Sequence, residues 1–214
     1  LEIGGEYKAP VGPGEAAALF IVRRTQSPIL DYRNRLEPSG LVEVSRSDSL
    51  VELGEDIIRA SYSWRIGEGQ SLEVGGEGAR NTLDQTLTAF FDVNRDGRLE
   101  QIAIPTANAH VEEARGELFA THKWAVGPRL SIESSLNYEF SRLSNSYPFS
   151  PERKLSFLKP RLDARYRVGA DQYRLLVERT VSQLDFANFV PRYNVVDDKI
   201  DAGNPGLEPE KVWT

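Results

Sequence analysis

Several things that would make a function easy to read are scarce or missing in this sequence. None of its 214 residues is cysteine, which excludes disulfides and thiolate metal sites. Histidine occurs only at His110 and His122, and neither stands at metal-ligand spacing from another donor. No apolar run approaches the roughly 18 residues of a transmembrane helix; the longest candidates, residues 16–22 and 175–177, are far shorter. Positive charge is not in excess. The net charge is −6, and no basic stripe with interleaved aromatics marks a nucleic-acid partner. Many serines are present, but no nucleophile elbow or grouped Ser, His and acid is visible, so no catalytic residues are assigned. With 40% hydrophobic and 27% charged residues, the average resembles a soluble protein. A membrane β-barrel has the same average, because each strand shows lipid only every second residue.

What the sequence does have is alternation. Leu130, Ile132, Ser134, Leu136, Tyr138 and Phe140 oppose Ser131, Glu133, Ser135, Asn137, Glu139 and Ser141. Leu158, Pro160, Leu162, Ala164, Tyr166 and Val168 oppose Phe157, Lys159, Arg161, Asp163, Arg165 and Arg167. Similar series run from Ile57 to Ile66 and from Glu113 to Trp124. A period of two sends successive side chains to opposite faces of a strand. The spacing predicts eight strands, at about residues 1–8, 16–25, 56–66, 71–91, 111–126, 130–142, 154–168 and 173–183, with a ninth starting near Glu210. Alternation is weak in the middle of 71–91, where Gly75, Gly76 and Gly78 suggest a bulge. Pro160, inside a strand, suggests either a bulge or an edge.

The connections alternate in length. Short turns fall at 9–15, 67–70, 127–129 and 169–172, and long connections at 26–55, 92–110, 143–153 and 184–209. Tight turns at one end and long loops at the other describe an outer-membrane barrel with periplasmic turns and extracellular loops. Trp64, Trp124 and Tyr166 belong to the apolar series and each precedes a short turn, as in an interfacial girdle. The opposite series is charged. A register in which residue numbers sum to about 298 would set Glu139 against Lys159, Asn137 against Arg161 and Glu133 against Arg165, a ladder suited to a wet or filled lumen.

The stretch Ala202-Gly203-Asn204-Pro205-Gly206-Leu207-Glu208-Pro209-Glu210 follows Arg179-Thr180-Val181-Ser182. It closely resembles the Gly-Asn-Pro-x-Leu-x-Pro-Glu segment of TonB-dependent outer-membrane receptors. Residues 71–77 and 113–119 resemble strands of the same family less specifically. The resemblance implies a 22-stranded transmembrane antiparallel up-and-down barrel, of which residues 1–214 would be about eight strands. The N-terminal plug, the TonB box that engages the TonB complex and the C-terminal strands would lie outside it. Leu1 opens directly on a strand-like alternation with no signal peptide, and the sequence reads as a stretch cut from a longer protein. The implied function is not enzymatic. It is TonB-energised uptake of a scarce nutrient across the outer membrane of a Gram-negative bacterium. Such cargo is a small molecule or metal chelate: a ferric siderophore, cobalamin or an oligosaccharide. The alternatives are a passive porin or an outer-membrane barrel enzyme. No cofactor is implied.

One motif stands apart. Asp92, Asn94 and Asp96, followed by Gly97, match the first half of a calcium loop. Ala103 stands where the bidentate Glu belongs, so an Asp-Gly turn at a loop tip reads the same residues equally well. No metal ligand is assigned.

Overall fold

A computed structural model of the chain describes residues 1–38, 40–104, 107–146, 152–190, 192–194, 199–201, 204 and 206–214. Its strands are β1 (Glu2–Val11), β2 (Gly14–Glu37), β3 (Gly40–Gly67), β4 (Gln70–Phe91), β5 (Glu100–Ile102), β6 (Asn108–Ala125), β7 (Leu130–Asn145), β8 (Arg153–Val168), β9 (Asp171–Val181), β10 (Arg192–Asn194), β11 (Lys199–Asp201) and β12 (Lys211–Trp213). The main sheet is antiparallel in the order β1-β2-β3-β4-β6-β7-β8-β9-β12, with β5 on β4, and it is not closed. β10 and β11 form a separate two-stranded antiparallel sheet. The eight long strands are those the alternation predicts, and β12 is the ninth.

Four local expectations need correction. Residues 26–55 are not a loop, because β2 and β3 stay paired from Gly14–Trp64 to Glu37–Gly40. Leu30, Tyr32 and Leu36 alternate with Asp31, Arg33, Arg35 and Glu37 in β2. The matching part of β3 mixes charged and apolar residues on both faces, which hides the hairpin. At about 3.4 Å per residue, β2 is about 80 Å long, against about 25 Å for the apolar band of a membrane barrel. The β7–β8 register is also two residues away from the expected one: Glu139 faces Phe157, Asn137 faces Lys159 and Glu133 faces Asp163. A slip of two leaves every side chain on its face, which is why the alternation alone could not fix it. Third, Pro160 lies in no bulge, and the edge it marks is a partial one inside the sheet. It faces Leu136 on β7, and the β8–β9 ladder ends beside it at Arg161–Glu178. Arg179 to Val181 of β9 pair only with β12, on the far side of β9, so the missing proline N–H falls where the ladder has already ended.

The fourth correction concerns β4. Its pairing with β6 runs unbroken from Gln70–Trp124 to Thr86–Asn108, with no bulge at the glycines. What changes there is the phase of the alternation. Up to Gly78 the even residues Leu72, Val74, Gly76 and Gly78 face outward among apolar neighbours. From Ala79 the odd residues Ala79, Leu83, Leu87 and Ala89 are buried on the inner face, while Arg80, Asp84 and Thr86 face out. The same switch occurs in β6, where Ala109 and Val111 are buried but Leu118 and Trp124 are exposed, and in β7 at Leu143. The strand does not bend to achieve this; its surroundings reverse.

Along the lower part of the sheet, toward the short turns, the outer face is apolar and exposed. Ile58 is 67% exposed, Leu118 59%, Leu136 48% and Leu175 59%. Trp124, Tyr166 and Tyr173 stand on this face close to the short turns. Trp64 stacks on Tyr62 at 5.3 Å between centroids. A row of ion pairs ends the apolar stretch: Arg24–Asp56 at 2.7 Å, Arg80–Glu112 at 2.9 Å, and Arg142 with Glu152. In β7 the apolar series spans 11 residues from Leu130 to Phe140, about 37 Å of strand. Tilted by about 45°, that gives close to the 25 Å expected of a lipid-facing band.

Gly75 of β4 makes room for a ring. A Cβ on Gly75 would stand 2.4 Å from Phe119 Cζ and 2.5 Å from the Ala60 carbonyl oxygen, and the latter cannot move without the ladder. Gly75→Val is therefore expected to destabilise the sheet by about 1–3 kcal/mol, read as a lower urea midpoint by tryptophan fluorescence; an unchanged midpoint would contradict this packing.

Candidate functional site: the inner wall

Two layers make up the inner face. The lower one is an ion-pair network built from one side of β3, β4, β6, β7, β8 and β9. Glu77 accepts from Arg115 at 3.1 Å and lies 3.6 Å from Arg59, whose guanidinium covers the Phe119 ring at 4.3 Å. Lys159 bridges Glu117 and Glu139, the second at 2.7 Å, and Asn137 donates to Glu117 at 2.7 Å. Arg161 contacts Glu133 at 2.6 Å, Asp163 at 3.0 Å and Glu178 at 3.4 Å. Asp163 is buried and also holds Arg165 at 3.0 Å and Arg174 at 2.7 Å. Between β7 and β8 the sign complementarity expected from the sequence is present, although through the diagonal contacts Glu139–Lys159 and Glu133–Arg161 instead of directly facing pairs.

Such a wall needs every member. Lys159→Met would leave Glu117 and Glu139, directly opposed across β6 and β7, without their shared cation. The expected loss is about 1–3 kcal/mol, and adding Glu117→Gln should recover part of it in a double-mutant cycle. Equal urea midpoints for wild type and Lys159→Met would show that the network contributes nothing.

The upper layer is apolar. Leu83, Ala109, Val111 and Leu143 receive Phe189 and Val190, and Val51, Leu184, Phe186 and Leu207 pack around them. A single 3-10 turn, Phe186–Asn188, carries these residues onto the wall, with Asp185 capping it through the Ala187 N–H at 2.9 Å. The stretch that carries the family resemblance holds this piece down. The Asn204 N–H donates to the Asn188 carbonyl at 2.8 Å, and its side chain accepts from Gly206 N–H at 3.0 Å. Arg153 donates to the Leu207 carbonyl at 2.5 Å, Pro209 is buried, and Glu210 exchanges hydrogen bonds with Ser182. Its role here is structural. Ala202, Gly203 and Pro205 of that stretch lie outside the described residues.

The calcium-like loop resolves into a turn that binds its own backbone. Asp92 accepts from Asp96 N–H and Gly97 N–H, both at 3.0 Å, and Asp96 accepts from Arg98 N–H at 2.9 Å. Asn94 turns away to Glu100 at 2.7 Å. Among the described residues no group of three acidic or histidine side chains is placed to hold a metal ion. His122 Nε2 donates to Gln70 Oε1 at 3.1 Å beside Trp124, and His110 meets Asp84 at 2.6 Å in the outer ion-pair row. The histidines are thus outside the inner wall. Sequence reasoning missed the upper apolar layer. Its signal was the phase change in β4, which reads as a defect if one period is imposed on the whole strand.

No family model and no curated protein matches this chain. Solved structures do. The ferric citrate transporter FecA in its unliganded form is similar over 84% of this chain, with 14% identity and a TM-score of 0.54. FpvA of P. aeruginosa, bound to heterologous pyoverdines, is similar over 98%, with 12% identity and a TM-score of 0.59. BauA, the ferric preacinetobactin receptor from Acinetobacter baumannii, is similar over 99%, with 11% identity and a TM-score of 0.54. The fold of the chain is that of the barrel strands of these three proteins. The chain spans only 27%, 29% and 33% of those three chains. The apolar band on one face of the sheet and the ion pairs on the other are the two faces that a membrane β-barrel requires.

Proposed function

We propose that this chain is an arc of the barrel of a TonB-dependent outer-membrane receptor that takes up a scarce nutrient. Its cargo would be a metal chelate such as a ferric siderophore, or cobalamin or an oligosaccharide. The single observation that supports this most is the reversal of polarity along uninterrupted strands. Exposed Leu118, Leu136 and Leu175 back onto ion-paired Glu117, Lys159 and Asp163, whereas higher up Arg80 and Glu112 back onto buried Leu83 and Val111. A band of lipid outside and a hydrated or protein-filled lumen inside account for the lower half. Water outside and packed loops inside account for the upper half. The similarity to FecA, FpvA and BauA supports a receptor over a porin or a barrel enzyme. On this reading the remaining strands, the plug and the contact with TonB belong to other parts of the same protein.

The test is genetic. Deleting the gene should abolish growth on one limiting nutrient, screened first among iron chelates, and deleting tonB in the wild-type background should have the same effect. Uptake that persists without TonB would favour a passive pore and overturn the proposal.

A further inference from the structure

One line in the wall is not stitched. β8 pairs with β7 from Arg153 to Tyr166, but with β9 only from Arg161 to Val168. Above Glu178, β9 pairs with β12 alone, from Arg179–Trp213 to Val181–Lys211, and Ser182 continues this side with Glu210. Residues 153–160 therefore have β7 on one side and no paired strand on the other among the described residues. The seam starts inside the apolar band, since Leu158 faces Tyr138.

Arg167 N–H bonds to the Arg129 carbonyl beside β7, and bonds alternate in direction along an antiparallel strand. The even-numbered backbone groups of β8 thus point at β9. Pro160 removes the N–H that would meet Arg179 at the next step of the ladder. One step higher, the Leu158 carbonyl accepts from Arg179 Nη1 at 3.0 Å. Arg179 pairs with no carboxylate among the described residues, and a carbonyl left open at lipid depth would be costly. One flexible side chain stands where a ladder would continue. On the lumen side the chain itself crosses the seam twice. It leaves β9 through Leu184, packed on the wall of β4, β6 and β7, and returns to Glu210 through Leu207, whose carbonyl accepts from Arg153. These crossings bound how far the two sides can separate.

We propose that the β8–β9 seam is a joint of the barrel wall. Above Pro160 the side made by β9 and β12 parts from β8 and closes again, with Arg179 as its latch. The ladder from Arg161 down stays shut. A single hydrogen bond from a guanidinium is a weak closure beside a backbone ladder. All the strands concerned lie in this chain, so the inference does not depend on what fills the lumen or on TonB.

The experiment places nitroxide pairs on the outer face of the full-length protein, in a background free of other cysteines. Their separation is read by electron paramagnetic resonance in lipid vesicles. Leu158→Cys with Val181→Cys spans the seam, at positions that would face each other if the ladder continued. Ala164→Cys with Leu175→Cys spans the closed ladder below. The lower pair should give one narrow distance. The upper pair should give two, differing by one strand spacing, about 5 Å. Arg179→Gln should enrich the longer. Pro160→Val, which restores the missing N–H, should enrich the shorter, and gives a second reading should the arginine variant fold poorly. One narrow distance at the upper pair, or distances that neither variant shifts, would overturn the proposal. Uptake that proves independent of TonB would leave it standing.

Discussion

Leu136→Arg should prevent stable membrane insertion, at a cost of about 2–4 kcal/mol for an arginine facing lipid near the middle of the apolar band. Leu136 is 48% exposed and faces Pro160 on one side and Ala120 on the other. It lies midway between the aromatic end at Tyr166 and the outer ion pair of Arg142 with Glu152. Ser135→Arg, one residue away, points inward with Glu133 nearby. It faces Arg161, but the repulsion should cost no more than about 1 kcal/mol. Folding titrations into lipid vesicles would measure both. If this face met water, Leu136→Arg would be nearly neutral, since exchanging one solvated side chain for another seldom moves stability by more than about 0.5 kcal/mol. The difference between the neighbours carries the information, because poor folding for any other reason would affect both.

Phe189→Ala should release residues 184–190 from the wall. Phe189 is 2% exposed among Leu83, Val111 and Leu143, and truncating a buried Phe costs about 3–5 kcal/mol. The loss should be local. The N–H groups of Asn188 and Phe189, bonded to Asp185 and Phe186 carbonyls at 3.0 Å, should exchange with solvent about a hundredfold faster or more, since each 1.4 kcal/mol is a factor of ten. Amides in the β6–β7 ladder should keep their protection. Unchanged exchange at 188 and 189 would mean that the segment is held by its backbone bonds and not by the ring.

These two residues also mark the limit of what the sequence reveals. Leu136 belongs to a series so regular that its outward direction, the strand and the charged face behind it could all be read in advance. Lys159 and Glu139 could be assigned to one side, but not to their contact, because a slip of two residues preserves faces and only the folded hairpin sets the register. Phe189 could not be placed at all. It sits outside any alternation, and its burial depends on Val111 and Leu143, which come from strands far away in sequence. The β2–β3 hairpin was hidden for a related reason. Beyond the apolar band both faces of a strand can be polar, so the length of the sheet exceeds the length of its signal.

The central claim is that one pair of faces reverses polarity along continuous strands because lipid covers only the lower outside. Cysteine is absent from the chain, so single cysteines placed from position 134 to 145 on β7 would report without background. Each would carry an environment-sensitive fluorophore in a protein folded into vesicles containing spin-labelled lipid. The prediction is strong quenching by lipid at 134, 136, 138 and 140, little at 135, 137 and 139, and none at 142 or 144. At 143, beneath Phe189, the probe should be shielded from both lipid and water. Uniform quenching along the strand, or equal exposure to an aqueous quencher at every position, would contradict the account.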